Sequence, residues 1–194
     1  MFAADVANYG GLVSIDETNT LDGLTLLRRI AIDTLADHGG WLFGLPGDGI
    51  FALFESAIDA VRCGLDMQAR LSQVAQLDHL KLRIGIHLGE VVFENEMPFG
   101  EALVVAARLE SLAEPGRILV SSSVRDAVVL RINARFEDRG IRPLKHSPRS
   151  IGTFEVLPAL AGAAPALLDD PTGAVGPVPP ADAGSHAPAV ETVE

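Results

Sequence analysis

A Gly-Asp-Gly turn between two β-prone runs constrains the fold of this chain more than any other feature of its sequence. Apolar and aromatic residues precede the turn at positions 41–43 and follow it at positions 50–54. Such runs on both sides of a tight turn predict a β-hairpin with Asp48 at its tip. Gly47 and Gly49 give the turn its backbone freedom. Because Asp-Gly is a common turn pair, Asp48 is either an ordinary turn residue or a functional carboxylate.

The hydrophobic periodicity of the remaining chain predicts a mixed fold. The order β-α-β-β-α-β, followed by α-β-β, is that of the split β-α-β unit. We therefore expect an α+β, ferredoxin-like core whose antiparallel-rich central sheet has helices packed on it. Strands are predicted at residues 2–6, 41–43, 50–54, 81–87, 90–93, 117–120, 136–144 and 151–156. Helices are predicted at about residues 16–37, 56–73, 102–112 and 121–130, with a turn or loop at 8–11 and a loop at 94–100.

Charge and hydropathy exclude several classes of function. The formal net charge is −11 over 194 residues, which argues against binding to nucleic acid or to an anionic membrane. There is no run of 18 apolar residues, so we expect no membrane span. The N-terminus lacks the basic-then-apolar layout of a signal peptide, which predicts a cytoplasmic protein.

A change of composition near residue 159 predicts the domain boundary. Residues 159–194 are rich in Ala, Pro and Gly, carry five acidic residues and contain no Lys or Arg. Segments of this kind do not bury enough apolar surface to fold. We therefore expect one folded domain at residues 1–158 and a disordered acidic tail at residues 159–194.

A second aspartate falls in a place comparable to that of Asp48. Asp5 lies near the end of the first predicted strand, and in a split β-α-β sheet that strand lies beside the strand that follows Asp48. We expect the two carboxylates to meet at one edge of the sheet. Carboxylate oxygens suit Mg²⁺ or Mn²⁺, which also bind substrate phosphates, and the loop at residues 7–11 offers backbone N–H groups to phosphate. The pair predicts a two-metal phosphoryl-transfer site, unless both are structural carboxylates of a turn and a strand end.

Four segments, in order along the chain, strongly resemble the catalytic domain of class III adenylate and guanylate cyclases of the soluble bacterial kind. The resemblance runs from residue 2 to about residue 157, and residues 111–116 and 143–145 add to it. The four segments are residues 2–6 (FAADV), 47–49 (GDG), 83–91 (RIGIHLGEV) and 99–110 (FGEALVVAARLE).

The resemblance implies a role for five residues. Asp5, Asp48 and the backbone carbonyl of Val6 match the family's ligands for two Mg²⁺ or Mn²⁺ ions. In the family these ions hold the triphosphate of ATP or GTP and activate the ribose 3′-hydroxyl, so that cyclic nucleotide and pyrophosphate form. Arg108 matches the arginine that stabilises charge on the transferring phosphoryl group. Lys145 resembles a lysine that contacts the triphosphate, although it also fits a solvated basic loop.

Three family positions that orient the substrate carry apolar residues here. The lysine that reads the base falls on Gly44, its aspartate partner on Met97, and the asparagine that orients the ribose on Val104. None of these side chains can hydrogen-bond a nucleotide. Gly47 and Gly49, beside the metal aspartate, are the remaining nucleotide-binding candidates.

These changes fall on one half of the family's active site. In the family each site lies across a dimer interface. The metal aspartates come from one protomer, and the base, ribose and arginine groups come from the other. This chain keeps the metal-donating half, which predicts a cyclase of doubtful activity as a homodimer. The expected assembly is either a homodimer or a heterodimer with another cyclase domain. The alternative is an inactive pseudo-cyclase that acts as a regulatory or heterodimerisation module.

Overall fold

Strands and helices alternate along the chain in its computed structural model, which describes residues 1–95, 97–143 and 150–159. This mixed architecture confirms the predicted α+β class. The strands are β1 (Phe2–Val6), β2 (Trp41–Gly44), β3 (Ile50–Leu53), β4 (Leu82–Ile86), β5 (Val92–Glu94), β6 (Met97–Phe99), β7 (Ile118–Ser121), β8 (Ala134–Pro143) and β9 (Ser150–Pro158). The helices are α1 (Tyr9–Ile15), α2 (Glu17–Asp37), α3 (Ala57–Ser72), α4 (Glu101–Leu112) and α5 (Ser122–Val128), with a 3₁₀ turn at Ala75–Leu77.

Seven of these strands form one central sheet in the order β2-β3-β1-β4-β7-β9-β8. Neighbouring strands are antiparallel except for the parallel pair β4 and β7. Strand β1 lies between β3 and β4, so the predicted placement of the first strand beside the third is confirmed. Strands β5 and β6 form a separate two-stranded hairpin.

The period-two alternation of β1 and β4 gives the sheet two faces with different partners. One face packs against α2 and α3 in the main core, and the other face packs against α4. On the α4 face, Met1 and Ala3 contact Ala102 and Ala106. The main-core side chains of the two strands are Phe2, Ala4, Val6, Leu82, Ile84 and Ile86. The intervening Asp5 and Arg83 therefore lie on the α4 face.

Gly85 allows α4 to approach β4 closely, backbone against backbone. A Cβ atom added at Gly85 would lie 2.2 Å from the carbonyl oxygen of Ala106 and 2.2 Å from the backbone nitrogen of Glu110. Such distances are far inside van der Waals contact, so a larger residue would push the helix away from the sheet. The glycine thereby places Glu110 directly over β4.

Two predicted irregular segments are partly wrong. The predicted turn or loop at residues 8–11 is a turn only at Asn8, because α1 begins at Tyr9, and its Tyr9 and Leu12 pack on the main core. This tertiary packing overrides the low helix propensity of two consecutive glycines. The predicted loop at residues 94–100 contains β6, which pairs with β5 through the register Val92 to Phe99.

All described residues belong to one compact unit. The predicted boundary at residue 158 stays a prediction, because residues 160–194 lie outside the described part of the chain. Lys145 also lies outside it. Within the described ranges, no helix has the length and hydrophobicity needed to cross a membrane.

Candidate active site

The hairpin of β2 and β3 carries the Asp48 carboxylate to the end of β1. Gly47 takes the left-handed conformation, with φ 55°, which a glycine adopts at no steric cost. Asp48 Oδ2 accepts a hydrogen bond from the backbone nitrogen of Val6 at 3.0 Å. Because Val6 follows Asp5 directly, this bond fixes the hairpin tip beside both residues. The structure therefore brings together the three predicted metal-binding residues.

Helix α2 holds the hairpin tip through Arg28. The Arg28 Nη2 group donates to the carbonyl oxygen of Gly47, and to that of Leu45 at 3.4 Å. Both acceptors lie in the turn that presents Asp48. The helical pattern of α2 gave no sign of this contact, because it depends on how the helix docks beside the hairpin.

Asp5 is paired with an arginine that the sequence prediction did not include. Asp5 and Arg83 are directly opposite each other in the β1–β4 register. Arg83 Nε donates to Asp5 Oδ1 at 2.8 Å, and Arg83 Nη2 donates to Asp5 Oδ2 at 2.5 Å. This two-bond geometry is the strong form of a carboxylate–guanidinium pair.

A third carboxyl group, that of Glu110, lies on the other side of the same guanidinium. Glu110 Oε1 is 3.6 Å from Arg83 Nη2 and has no hydrogen-bond partner among the described residues. The side chain of Glu110 is only 9% exposed. Burial raises the pKa of Glu110 to about 8, a side-chain hydrogen bond to Asp5 and the charges of Asp5 and Asp48 add to the rise, and Arg83 opposes it. We call Asp5, Asp48, Arg83 and Glu110 the carboxylate cluster.

The donor chemistry at the end of β1 fits a divalent cation. Asp5, Asp48 and the backbone carbonyl of Val6 offer hard oxygen ligands of the kind that Mg²⁺ and Mn²⁺ prefer. In the described residues, no three His, Cys, Asp or Glu side chains are arranged to hold a metal by themselves. A metal here would therefore depend on two carboxylates, a backbone carbonyl and ligands from a bound substrate.

The face of helix α4 opposite Glu110 is turned toward solvent. Val104 is 64% exposed and lies one helical turn before Arg108, which is half-buried. The Nε atom of Arg108 has no hydrogen-bond partner among the described residues. Arg108 and Glu110 are two residues apart, which separates them by about 200° around the helix. Consequently Arg108 and Val104 lie opposite the carboxylate cluster and do not join it.

The other two changed positions lie on β2 and β6, next to exposed aromatic side chains. Gly44 ends β2, and Met97, at the start of β6, is 45% exposed. The ring centroids of Trp41 and Phe93 are 5.9 Å apart, and these side chains are 46% and 54% exposed. We call the residues Trp41, Gly44, Phe93, Met97 and Val104 the outer surface. An exposed group of large apolar side chains commonly marks an interaction site.

Sequence reasoning missed Arg83 and Glu110 although both had a readable signal. Arg83 is a charged residue within an otherwise apolar alternating strand. Glu110 continues the small-residue stripe of Ala102 and Ala106 at helical spacing. A charged residue at a position that the pattern predicts to be buried is rarely there without a partner.

The fold, the carboxylate cluster and the outer surface together point to a family of known proteins. The split β-α-β sheet defines an α+β domain of the ferredoxin-like class. Within this class, the sequence profile of the adenylate and guanylate cyclase catalytic domain matches residues 32–157. The chain therefore belongs to the adenylate and guanylate cyclase catalytic domain family. The matched segment includes Asp48 and Arg108 and begins after Asp5.

Individual proteins agree with this assignment. The chain is 31% identical over 156 residues to putative adenylate cyclase 3 of Rhizobium meliloti, covering 78% of this chain and 27% of that protein. It spans between 27% and 52% of the length of the first curated relatives that it matches. The crystal structure of an adenylate/guanylate cyclase/hydrolase from Silicibacter pomeroyi superposes with a TM-score of 0.73 at 36% identity, over 81% of this chain and 94% of that one.

A more distant structure shows the fold alone. The guanylate cyclase domain of RhGC from Catenaria anguillulae, solved in complex with GTP, has a TM-score of 0.67 at 18% identity. The superposition covers 82% of this chain and 95% of that domain.

Proposed function

We propose that this chain supplies the metal-binding half of a nucleotide cyclase active site and takes the substrate-orienting half from a different cyclase domain. The observation that carries the proposal is the hydrogen bond from the Val6 backbone to Asp48, which fixes the hairpin carboxylate at the end of β1. The complementary half lacks polar groups at Gly44, Met97 and Val104. A second copy of the same chain would therefore offer no contact to the base or the ribose from these positions.

The proposed metal ligands are Asp5, Asp48 and the carbonyl of Val6. Divalent cations bound there would supply the positive charge that neutralises a nucleoside triphosphate and favours ionisation of the ribose 3′-hydroxyl. The chain's own part is to hold the two carboxylates in fixed positions. The Val6–Asp48 hydrogen bond does this for the hairpin, and the pairing of β1 with β4 does it for Asp5.

Arg108 is proposed to serve the second site of the dimer. Arg108 lies one helical turn after the exposed Val104 on the solvent side of α4, where its guanidinium would donate to an incoming anion. A guanidinium stabilises the charge that develops on transferring phosphoryl oxygens. The exposed apolar residues of the outer surface support burial against a second cyclase domain.

Complementation tests whether this chain supplies the metal-binding half and a partner domain supplies the substrate-orienting half. The full chain is mixed with a class III cyclase domain whose two metal aspartates have been changed to Ala, so that the partner keeps only its base-reading half. We expect cyclic nucleotide from ATP or GTP with Mn²⁺ in the mixture and almost none from either protein alone. The matched control is Asp48→Asn in this chain, which should abolish the product of the mixture. Robust product from the unaltered chain alone would contradict the proposal.

A non-catalytic dimerisation module is the second candidate. It is favoured by one observation, that Arg83 hydrogen-bonds both oxygens of Asp5. Calorimetric titration with ATP and GTP, in Mn²⁺ or Mg²⁺, separates the two candidates. Metal-dependent nucleotide binding supports the cyclase half, and no binding with either metal supports the module.

A further inference from the structure

We propose that the open end of the β2–β3 hairpin carries a second binding site, which takes a small organic cation of the quaternary ammonium class. The site is a cavity of about 480 Å³, lined by that end of the hairpin, by the turn after α2 and by the start of α3. Small-molecule sites in proteins commonly have this size. The inference goes beyond the proposed function and depends on neither the metal site nor a partner domain.

The cavity lies at the end of the hairpin opposite the Asp48 tip. Trp41 begins β2 and pairs with Leu53, which ends β3, and both residues line the cavity. Asp48 lies in the turn that joins the other ends of the same two strands. A ligand bound here would therefore lie away from the carboxylate cluster.

Aromatic side chains form part of the cavity wall. Trp41, Phe54 and Phe93 all line it. The Phe54 ring is supported from the core by Phe2, with the ring centroids 5.8 Å apart. The face of an aromatic ring carries partial negative charge and attracts an organic cation, most strongly in the case of Trp. Because an uncharged apolar ligand would also bind such a wall, the charges around the cavity decide between the two classes.

The charged residues of the lining favour a cation. Glu55 and Asp59 are among the described lining residues, and none of these is Lys or Arg. Asp59 lies 3.9 Å from Arg62, but these side chains are 47% and 54% exposed, so the pair is weak. Glu55 is exposed and takes part in no ion pair within the described ranges. The two carboxylates therefore leave the cavity with a net negative charge.

The neighbouring histidine does not reverse this balance. His38 lines the cavity, and its Nε2 atom lies 3.1 Å from Asp66 Oδ2. Any positive charge on His38 is therefore matched by a carboxylate.

The helix ends at the cavity add to the preference for a cation. Helix α2 is 21 residues long and has no basic residue in its last turn, so the negative end of its dipole has no charged partner there. The positive end of α3 also lies at the cavity, but it has the Ser56 cap and Asp59 in its first turn. A ligand with an apolar surface and a positive charge fits both the aromatic wall and these charges.

A matched pair of probes tests the charge preference on the unaltered chain. Choline is compared with dimethylbutanol, its uncharged isostere in which carbon replaces the nitrogen. Trp41 is the one tryptophan of the sequence, so its fluorescence reports on the cavity directly. Calorimetry detects a ligand that binds without a change in fluorescence. We expect choline to bind at least about tenfold more tightly than the isostere, with no metal or nucleotide present.

Glu55→Gln tests the contribution of negative charge. It removes a charge and nearly keeps the shape of the side chain, so choline should bind at least about threefold more weakly while the isostere is unaffected. Asp22→Asn is the matched control, since it makes the same change of charge at an exposed position of α2. Asp22 lies fifteen residues before Asp37, which is about 22 Å along the helix. Choline affinity in this control should stay within about twofold of the unaltered chain.

Phe93→Leu tests the contribution of the aromatic wall. Leucine keeps an apolar contact but has no ring face, so choline should bind about threefold more weakly and the isostere about equally well. A purely apolar cavity predicts instead that the two probes lose the same affinity. Circular dichroism checks that each variant is folded.

The outcomes decide the inference without reference to the cyclase proposal. A preference for choline that shrinks in Glu55→Gln and in Phe93→Leu, and persists in Asp22→Asn, supports the cation site. Equal affinities for choline and its isostere in the unaltered chain would overturn it, and so would the absence of choline binding by both measurements. Because the titrations contain no metal and no nucleotide, these results leave the proposed metal-binding half to its own test.

Discussion

The two sides of helix α4 differ in what keeps their residues in place. On the inner side, the carboxylate cluster is built from contacts within one chain, including the Asp5–Arg83 pair and the Val6–Asp48 hydrogen bond. On the outer side, Val104 is exposed, and so is Met97 on the neighbouring strand β6. Folding constrains the first group directly, whereas only a bound ligand or partner would constrain the second. The comparison indicates how a chain of this family can vary at the exposed outer surface and keep its fold and the carboxylates that we propose as metal ligands.

The largest expected effect is on Mn²⁺ affinity, and it follows from removing a carboxylate of the inner side. Asp48→Asn keeps the size of the side chain and can still accept from Val6, but it removes the charge that would bind a cation. We expect Mn²⁺ affinity to fall by about 100-fold or more, because a carboxylate is a main ligand of such ions. Calorimetry measures the change. Asp33→Asn, at an exposed position of α2, is the control and should have no effect.

The dependence of the inner side on close packing is tested at Gly85. In Gly85→Ala the new Cβ meets backbone atoms of α4 at 2.2 Å, which a rotamer change cannot relieve. We expect the free energy of unfolding to fall by about 3 kcal/mol, the upper range for overpacking. Urea unfolding followed by circular dichroism measures it.

Gly10→Ala is the matched control for that substitution. A Cβ at Gly10 meets no atom within 4 Å, and the residue lies in helix α1. The control should be neutral or stabilising by up to about 1 kcal/mol. Equal losses in the two variants would contradict the claim that α4 rests on the backbone of β4.

A smaller effect is expected at the hairpin that presents Asp48. Arg28→Met removes the hydrogen bonds to the carbonyl oxygens of Leu45 and Gly47 and keeps the apolar stem of the side chain. If the lost hydrogen bonds make the free energy of Mn²⁺ binding about 1 kcal/mol less favourable, the affinity falls about fivefold. The neighbouring Arg29→Met, at an exposed position, should leave the affinity unchanged. Similar affinities for both variants would show that the turn holds Asp48 without α2.

A further expected effect concerns the pH dependence of stability at His87. Burial lowers the pKa of His87 from 6.5 to about 4, and the positive charge of the Met1 amino group adds to the lowering while Glu101 opposes it. The Nδ1 atom of His87 lies 2.9 Å from Ser121 Oγ. The unfolded chain takes up the proton at the ordinary pKa, so the folded state binds fewer protons between pH 6.5 and pH 4. Stability is therefore lost as the pH falls through this window.

His87→Gln isolates that contribution. The unaltered chain should be more stable than the variant at pH 7, and the difference should shrink as the pH approaches 4.5. Urea unfolding at several pH values measures both curves. A difference that stays constant across this range would show that His87 does not titrate as its burial requires.

The sequence predicted the parts of the site that depend on local pattern. The glycines around Asp48 predicted the hairpin, and the alternation of β4 predicted which of its residues enter the main core. The topology predicted that the first strand lies beside the third, which brings Asp5 and Asp48 to one end of β1. These features depend on turn geometry and on side-chain periodicity, which a single sequence shows.

The remaining contacts depend on how distant elements dock. The Asp5–Arg83 pair requires a particular register between β1 and β4, and the sequence alone does not show that register. Glu110 reaches the cluster only because Gly85 lets α4 approach the sheet. Arg28 reaches the hairpin because α2 docks beside it. In each case a tertiary contact decides the role of a residue that looks ordinary in the sequence.

The central claim is that this chain keeps a metal-binding half and lacks the substrate-orienting groups. Restoring those polar groups on the outer surface tests it most directly. The triple variant Gly44→Lys, Met97→Asp and Val104→Asn returns the three polar groups to an otherwise unchanged chain. Space is available at Gly44, where the nearest atoms to an added Cβ lie 3.8 Å away. If the inner side is an intact metal-binding half, the purified triple variant should form cyclic nucleotide from ATP or GTP with Mn²⁺ as a homodimer, about 100-fold or more faster than the unaltered chain. A triple variant that is folded and binds Mn²⁺ but gains no activity would contradict the account.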